Sequence, residues 1–118
     1  MTFDHFDSEE AKKFLLEREQ KEKQEKERER KNLLQKAISI LEEEFTGTAV
    51  EVYLIGSILR PFSFTSKSDV DIVLKNYKGD RFDFWTKMEA KIGRSVEIIA
   101  FETCSFQEFI LKNGLKVL

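Results

Sequence analysis

Apolar residues recur in different rhythms along this chain, and each rhythm predicts an element. Leu34, Ala37, Ile38, Leu41 and Phe45 fall at helical spacing, so the segment from Leu33 should pack as a helix. Thr46-Gly47-Thr48 closes it. Ala49–Ile55 then alternates as a strand, with Val50, Val52 and Leu54 on one face and Glu51, Tyr53 and Ile55 on the other. Ser68–Lys75 reads as a second strand, with Val70, Ile72 and Leu74 toward the core. Arg81–Ile92 predicts a helix with Phe82, Trp85, Met88 and Ile92 inward, ended by Gly93. Arg94–Phe101 is a third strand. Ser105 with Glu108 has capping-box spacing and opens a last helix that carries Phe106, Phe109 and Ile110 and stops near Asn113-Gly114. This order predicts an α/β fold: a small mixed sheet with helices packed on one face, preceded by a long charged N-terminal helix.

That preceding segment has its own pattern. Residues 8–44 read as one long helix or two nearly continuous ones, with Asp7 and Glu10 at capping-box-like spacing. After Phe14, Leu15 and Leu16, no large apolar residue occurs until Leu33. The intervening run has no Gly or Pro and consists of strong helix formers. Glu17–Lys21, Glu19–Lys23, Glu22–Lys26 and Glu27–Lys31 are i,i+4 pairs, each worth about 0.2–0.5 kcal/mol. Without apolar a and d positions it is not a self-sufficient coiled coil. It reads either as a solvated spacer or as an arm that docks a partner through its apolar ends. The chain therefore divides into a charged helical arm, residues 1–32, and a domain, residues 33–118.

Composition narrows the options. The chain has 118 residues, 41% hydrophobic and 36% charged, with a net charge of −2. Residues 1–45 carry 10 Lys+Arg against 13 Asp+Glu, and residues 46–118 carry 10 against 9. Neither part is a basic surface for extended nucleic-acid binding. One cysteine, Cys104, excludes an intrachain disulfide framework. One histidine, His5, near the terminus, argues against a His-based triad or a two-His metal site. No apolar run reaches the roughly 20 residues that span a bilayer, and no secretory leader is apparent, which predicts a cytoplasmic protein away from membranes.

The candidate chemistry lies between the first two strands. Gly56-Ser57 ends the first strand, and a turn there can offer N–H groups and a hydroxyl to a phosphate. Ser68-Asp69-Val70-Asp71 opens the second, and alternation sends Asp69 and Asp71 to one face. Two nearby anions repel, and a hard divalent cation resolves that conflict. The third strand adds Glu97 on a face shared with Ser95 and Ile99. Three such carboxylates could hold two magnesium ions about 3.5–4 Å apart. Taken singly, Gly56 also fits a tight turn, Ser57 a helix cap and Arg60 an ordinary surface position.

VYLIGSILRPFSFTSKSDVDIVL resembles the G-S-x-x-R…S-D-x-D signature of polymerase-beta-type nucleotidyltransferases, and in particular their minimal, single-domain members. The similarity extends through KIGRSVEIIAFE to FILKNGLKVL, about residues 33–118, and leaves the arm unexplained. It implies the nucleotidyltransferase fold. It implies that Gly56 and Ser57, with Arg60 and Ser68 beside them, bind the phosphates of ATP or another nucleoside triphosphate. It implies that Asp69, Asp71 and Glu97 are catalytic and ligate Mg2+. Two positions depart from the pattern: Glu97 stands where aspartate is usual, and Pro61 follows Arg60 where glycine is usual. Glu102 faces opposite to Glu97 and is the weaker choice for the third carboxylate.

The implied activity is transfer of a nucleoside monophosphate, AMP from ATP, to a hydroxyl with release of pyrophosphate. The family's minimal members act as antitoxins of toxin-antitoxin pairs beside a helical, HEPN-type nuclease toxin, so a partner's hydroxyl is the expected acceptor. Two alternatives stand: a catalytically inactive module that neutralises a partner by contact, and nucleotidyl transfer to a small molecule or an RNA end. A core of this size buries limited area, so a homo- or hetero-oligomer is expected.

Overall fold

The computed structural model describes residues 3–118, with side chains from Ser8 onward. The element order is α1 (Phe3–Phe45), β1 (Glu51–Ile55), a 3-10 turn (Gly56–Leu59), β2 (Val70–Lys75), α2 (Arg81–Ile92), β3 (Val96–Ala100), a second 3-10 turn (Phe101–Thr103), α3 (Gln107–Asn113) and β4 (Leu115–Lys116). The fold is thus α/β, with a four-stranded mixed sheet in the order β3-β2-β1-β4. β1 runs antiparallel to β2 and β4, whereas β2 and β3 are parallel, joined by a crossover through α2.

The N-terminal segment is one uninterrupted helix, because nothing in it breaks the ladder. It begins at Phe3, so Asp7 lies inside it rather than capping it. The side chains of His5 and Asp7 fall outside those described. None of the four expected Glu–Lys pairs closes among the described residues. Arg18–Glu22 pairs instead at 3.3 Å, and Glu27 turns to Arg30. Gly47, at φ +82, adopts the left-handed conformation just past the helix end.

The sheet is covered on both faces, which corrects the expectation of helices on one. Ala37, Leu41 and Phe45 of α1 and Phe84, Met88 and Ile92 of α2 pack on Val52, Leu54, Val70, Ile72, Leu74 and Val96. Ile110 of α3 and Phe101 pack on Tyr53, Ile55 and Val73 of the opposite face. The reason is legible in β1: Tyr53 and Ile55 make its second face nearly as apolar as the first, and that face needs its own cover. α3 does this with Ile110, while Phe106 and Phe109 remain largely exposed. Its cap is Phe106 without a side-chain bond, so the Ser105–Glu108 capping box does not form.

α2 also differs in its phase. Phe84 is buried where Phe82 was expected, and Phe82 is 68% exposed. Asp80 sets this start, accepting hydrogen bonds from the backbone N–H groups of Phe82 and Asp83 at 2.8 and 3.1 Å. From the same helix, the Trp85 indole donates to the Val96 carbonyl at 2.7 Å and Glu89 accepts from the Val96 N–H at 2.9 Å. Both bonds fix the start of β3, one residue before Glu97.

Candidate active site

Register brings the ends of three strands together. Asp71 pairs with Ile55 across the antiparallel ladder and with Glu97 across the parallel one. Asp71 and Glu97 therefore point from the same face of adjacent strands. That face is the one α3 covers farther along, so the two carboxylates sit beyond its cover.

Gly56 completes the arrangement. It sits at φ +85, a conformation that disfavours any side chain. A Cβ built there would lie 2.3 Å from Oδ2 of Asp71. The carboxylate of Asp71 thus occupies the space a side chain at position 56 would need, and turn and acid are in direct contact. Gly56→Ala is expected to displace Asp71 and strain the turn, with a fall in melting temperature of several degrees that thermal denaturation would detect.

Asp71 is half-buried, while Asp69 and Glu97 are exposed. Burial first, then the charge of Glu97, a side-chain hydrogen bond with Glu97 and the charge of Asp69, push the Asp71 carboxyl up to about 6. A cation would relieve that repulsion. All the donors are carboxylate oxygens, which suits a hard ion, and magnesium needs only one or two carboxylates when substrate phosphates supply the rest. Among the described residues, no group of three His, Cys, Asp or Glu side chains is gathered closely enough to hold a metal ion alone. The Asp71–Glu97 pair is the assembled part of the expected set. Asp69 and Glu97 instead line an open cleft of about 400 Å³ at the β3 edge, together with Arg81, Phe82 and Trp85.

The remaining residues hold the loop between the strands. The Ser68 hydroxyl accepts from the Thr65 N–H at 2.9 Å, so it is engaged in loop closure. Arg60 is exposed, and its backbone N–H donates to the Ser57 carbonyl at 3.1 Å. Pro61 is accommodated because Arg60 is already extended, at φ −103 and ψ 122. Glu102 accepts from the Asn76 N–H at 2.6 Å, past the far end of β2, and serves the turn there.

Three positioning residues were not anticipated. Arg94 donates to the carbonyls of Thr65 and Ser68 at 2.8 and 3.0 Å, and its guanidinium lies 4.5 Å from the centre of the Phe64 ring. It ties the start of β3 to the approach to Asp69. Glu27 and Arg30 of α1 are buried, at 8% and 6% exposure. Arg30 donates to Glu27 through Nε at 2.7 Å and to the Ile58 carbonyl, in the Gly56–Leu59 turn, at 2.7 Å. Glu27 also accepts from the Phe62 N–H at 2.6 Å. The helix thus clamps the candidate phosphate turn from within the segment assigned to the arm. Nothing in a run of alternating Glu, Lys and Arg distinguishes these two from their solvated neighbours.

Hydrogen bonds to cations or backbone N–H groups hold the carboxyls of Glu27, Glu44, Glu51 and Glu102 below their usual range. A depressed folded value favours the ionised native state above the unfolded value of 4.5. Stability from these four groups is expected to fade as pH drops through and below that value. A plateau in melting temperature from pH 7 down to pH 3 would contradict it.

A search of known protein families finds none that matches the chain, and a search of curated proteins likewise finds no match. No helix among the described residues is long and apolar enough to cross a membrane.

Proposed function

We propose that the chain is a metal-dependent nucleotidyltransferase built on the minimal polymerase-beta-type fold, transferring AMP from ATP to a hydroxyl of a partner protein. The observation that carries this reading is the contact of Gly56 with Asp71, with Asp71 paired to Glu97 on the next strand. A turn that could offer N–H groups to a phosphate thus lies against Asp71, with Glu97 on the next strand.

In this reading the N–H groups of the Gly56–Leu59 turn and the Ser57 hydroxyl would receive the triphosphate, and Asp69, Asp71 and Glu97 would hold magnesium. Bound magnesium would neutralise the triphosphate and lower the pKa of the acceptor hydroxyl. The acceptor oxygen bonds to the α-phosphorus, the bond from that phosphorus to the bridging oxygen breaks, and pyrophosphate leaves. The hydroxyl proton leaves through the exposed Glu97 carboxylate to water. Arg81 and Phe82, which line the same cleft as Glu97, would contact the acceptor in this reading.

The test is incubation with labelled ATP, magnesium and the protein encoded beside this one. Label transfer that disappears in Asp69→Asn/Asp71→Asn is expected, and transfer undiminished in that variant would sink the proposal. Magnesium with ATP at about 100 times its Kd should stabilise the fold by about 2.7 kcal/mol, read as a higher melting temperature. An antitoxin role beside a helical toxin rests on the sequence resemblance. Neutralisation by contact alone is the second reading, motivated by Glu97 and Pro61, which depart from the family pattern, and by the long helix, exposed from Ser8 to Lys26. It predicts neutralisation that survives the double carboxylate change but fails when residues 1–32 are removed.

A further inference from the structure

The loop that leads into β2 packs against α1, and the seam between them opens into a trough. On one side of Phe62 lies a groove of about 570 Å³, walled by Lys23 and Lys26 of α1 and by Phe64 and Thr65 of the loop. On its other side lies a groove of about 310 Å³ that reaches Gln24, Arg28 and Lys31. A third hollow shares Lys26, Phe64 and Thr65 with the first and carries the trough on to Ser66 and Arg94. Phe62 stands between the first two, 69% exposed and at φ +62. A bulky residue in the left-handed region is strained, and such strain persists only where surroundings impose it. Here the buried Glu27 carboxylate holds the Phe62 N–H at 2.6 Å. The fold thus presents a phenylalanine ring to solvent from a backbone it holds in place.

Charge around this ring is one-sided. The trough is lined by six cations, Lys23, Lys26, Arg28, Arg30, Lys31 and Arg94, and by two acids, Glu27 and Glu29. Glu27 and Arg30 neutralise each other. Glu29 lies at the end that Arg94 lines, away from Phe62. Lys23, Lys26, Arg28 and Lys31 enter no ion pair among the described residues. The other acids of this stretch stand elsewhere. Glu22 and Glu25, five and two residues before Glu27, are turned about 140° and 160° from it around the helix. Glu19 shares the side of Lys23 but lies one turn farther out, beyond the lining. Residues 60–68 of the loop add Arg60 and Lys67 and contain no acid.

We propose that this trough binds a short stretch of single-stranded RNA, with an unpaired base stacked on Phe62 and the phosphates on either side of it held by Lys23 and Lys26 and by Arg28 and Lys31. A nucleotide joins a π face to flanking negative charge, and an exposed ring between two pairs of cations is its complement. The strand must be single, because a paired and stacked base has no free face for the ring, and RNA presents such bases in its loops and ends. The stretch is short, because Lys23 to Lys31 spans about 12 Å of helix. A net charge of −2 accords with this, since a long tract would need a basic surface the chain lacks. An acidic peptide would satisfy the cations and leave the ring without a role. The inference is independent of the catalytic reading, because it uses none of Asp69, Asp71 and Glu97.

Fluorescence anisotropy of a labelled uridine decamer with the full chain, without ATP or magnesium, tests it. The expected Kd is about 10 μM at 50 mM salt, weakening steeply as salt rises. Phe62→Asn removes the ring yet suits the left-handed backbone, so the melting temperature should not fall. Binding by that variant should weaken about tenfold, with the slope of log Kd against log salt unchanged. Phe62→Trp should bind at least as tightly as wild type. Lys23→Gln/Lys26→Gln should instead lower the salt slope by about 1.4, the loss of two single-strand phosphate contacts. Lys112→Gln, on α3 at the opposite face of the sheet, should change neither quantity. Polyglutamate at the same charge concentration should not displace the RNA. No binding at 100 μM protein overturns the proposal. So does displacement by polyglutamate, which would mark a site for acidic chains, or a Phe62→Asn variant that binds as wild type does.

Discussion

Arg30→Ala is expected to lower the melting temperature by roughly 10 °C, far more than alanine at any neighbouring cation of the arm. The guanidinium has little contact with water and serves Glu27 and the Ile58 carbonyl together. Removing it strands a carboxylate and a carbonyl in a site closed around them, and breaking one side of a buried pair costs more than the pair contributes. Lys26→Ala and Lys31→Ala, on the same helix but solvated, should move the melting temperature by about a degree. Arg30→Lys should recover only part of the loss, because an ammonium cannot present the two-sided fork that reaches Glu27 and Ile58 at once. Equal shifts for Arg30→Ala and Lys26→Ala would show that the clamp contributes nothing. The same variant should raise the KM for ATP, since the carbonyl it releases belongs to the turn proposed to hold the phosphates.

Asp71→Asn should stabilise the protein while abolishing nucleotidyl transfer. The folded carboxyl is raised to about 6 against an ordinary value of 3.8. Below pH 3.8 the carboxyl is protonated in both states and contributes no difference. Between pH 3.8 and 6 the unfolded chain has released its proton while the folded chain keeps it, so stability falls across that window as pH rises. Above pH 6 the full penalty remains. Asparagine removes the charge, so the gain over wild type should be absent near pH 3.5, grow to pH 6 and then level off. With allowance for solvent screening of a half-exposed group, the plateau is about 1 kcal/mol, or roughly 4 °C. Saturating magnesium and ATP should reverse the order, because only the wild type then gains the cation. A variant less stable than wild type at pH 7.5 without metal would mean that Asp71 is a structural anchor rather than a group held at a cost for chemistry.

Much of the architecture was legible because strand alternation and helical spacing are local. Arg81–Ile92 has the expected bounds, and Asp71 and Glu97 meet as alternation placed them. What local reading lacked was phase and partner. Phe82 and Phe84 both suit an apolar helix, and only the Asp80 cap decides which turns inward. The second apolar face of β1 was visible in Tyr53 and Ile55, but its cover is brought from about 55 residues away by α3. Glu27 and Arg30 were hidden for a different reason. Their role is set by contacts with Ile58 and Phe62, some 30 residues on, and their types repeat on every turn of the helix around them. Asp69 was grouped with Asp71 by alternation, yet it precedes the first paired residue of β2 and faces the open cleft.

One helix serves as a wall of the core at Ala37 and Leu41, a clamp at Arg30 and a free rod beyond Glu27. It contains no glycine or proline to act as a hinge. A rod gripped at one end is a lever, and its short arm here ends on the Ile58 carbonyl, two residues from Gly56. Load applied near Leu15 arrives at the turn as torque rather than being lost in bending. Whatever engages the distal end therefore has mechanical access to the turn beside Asp71 without touching it.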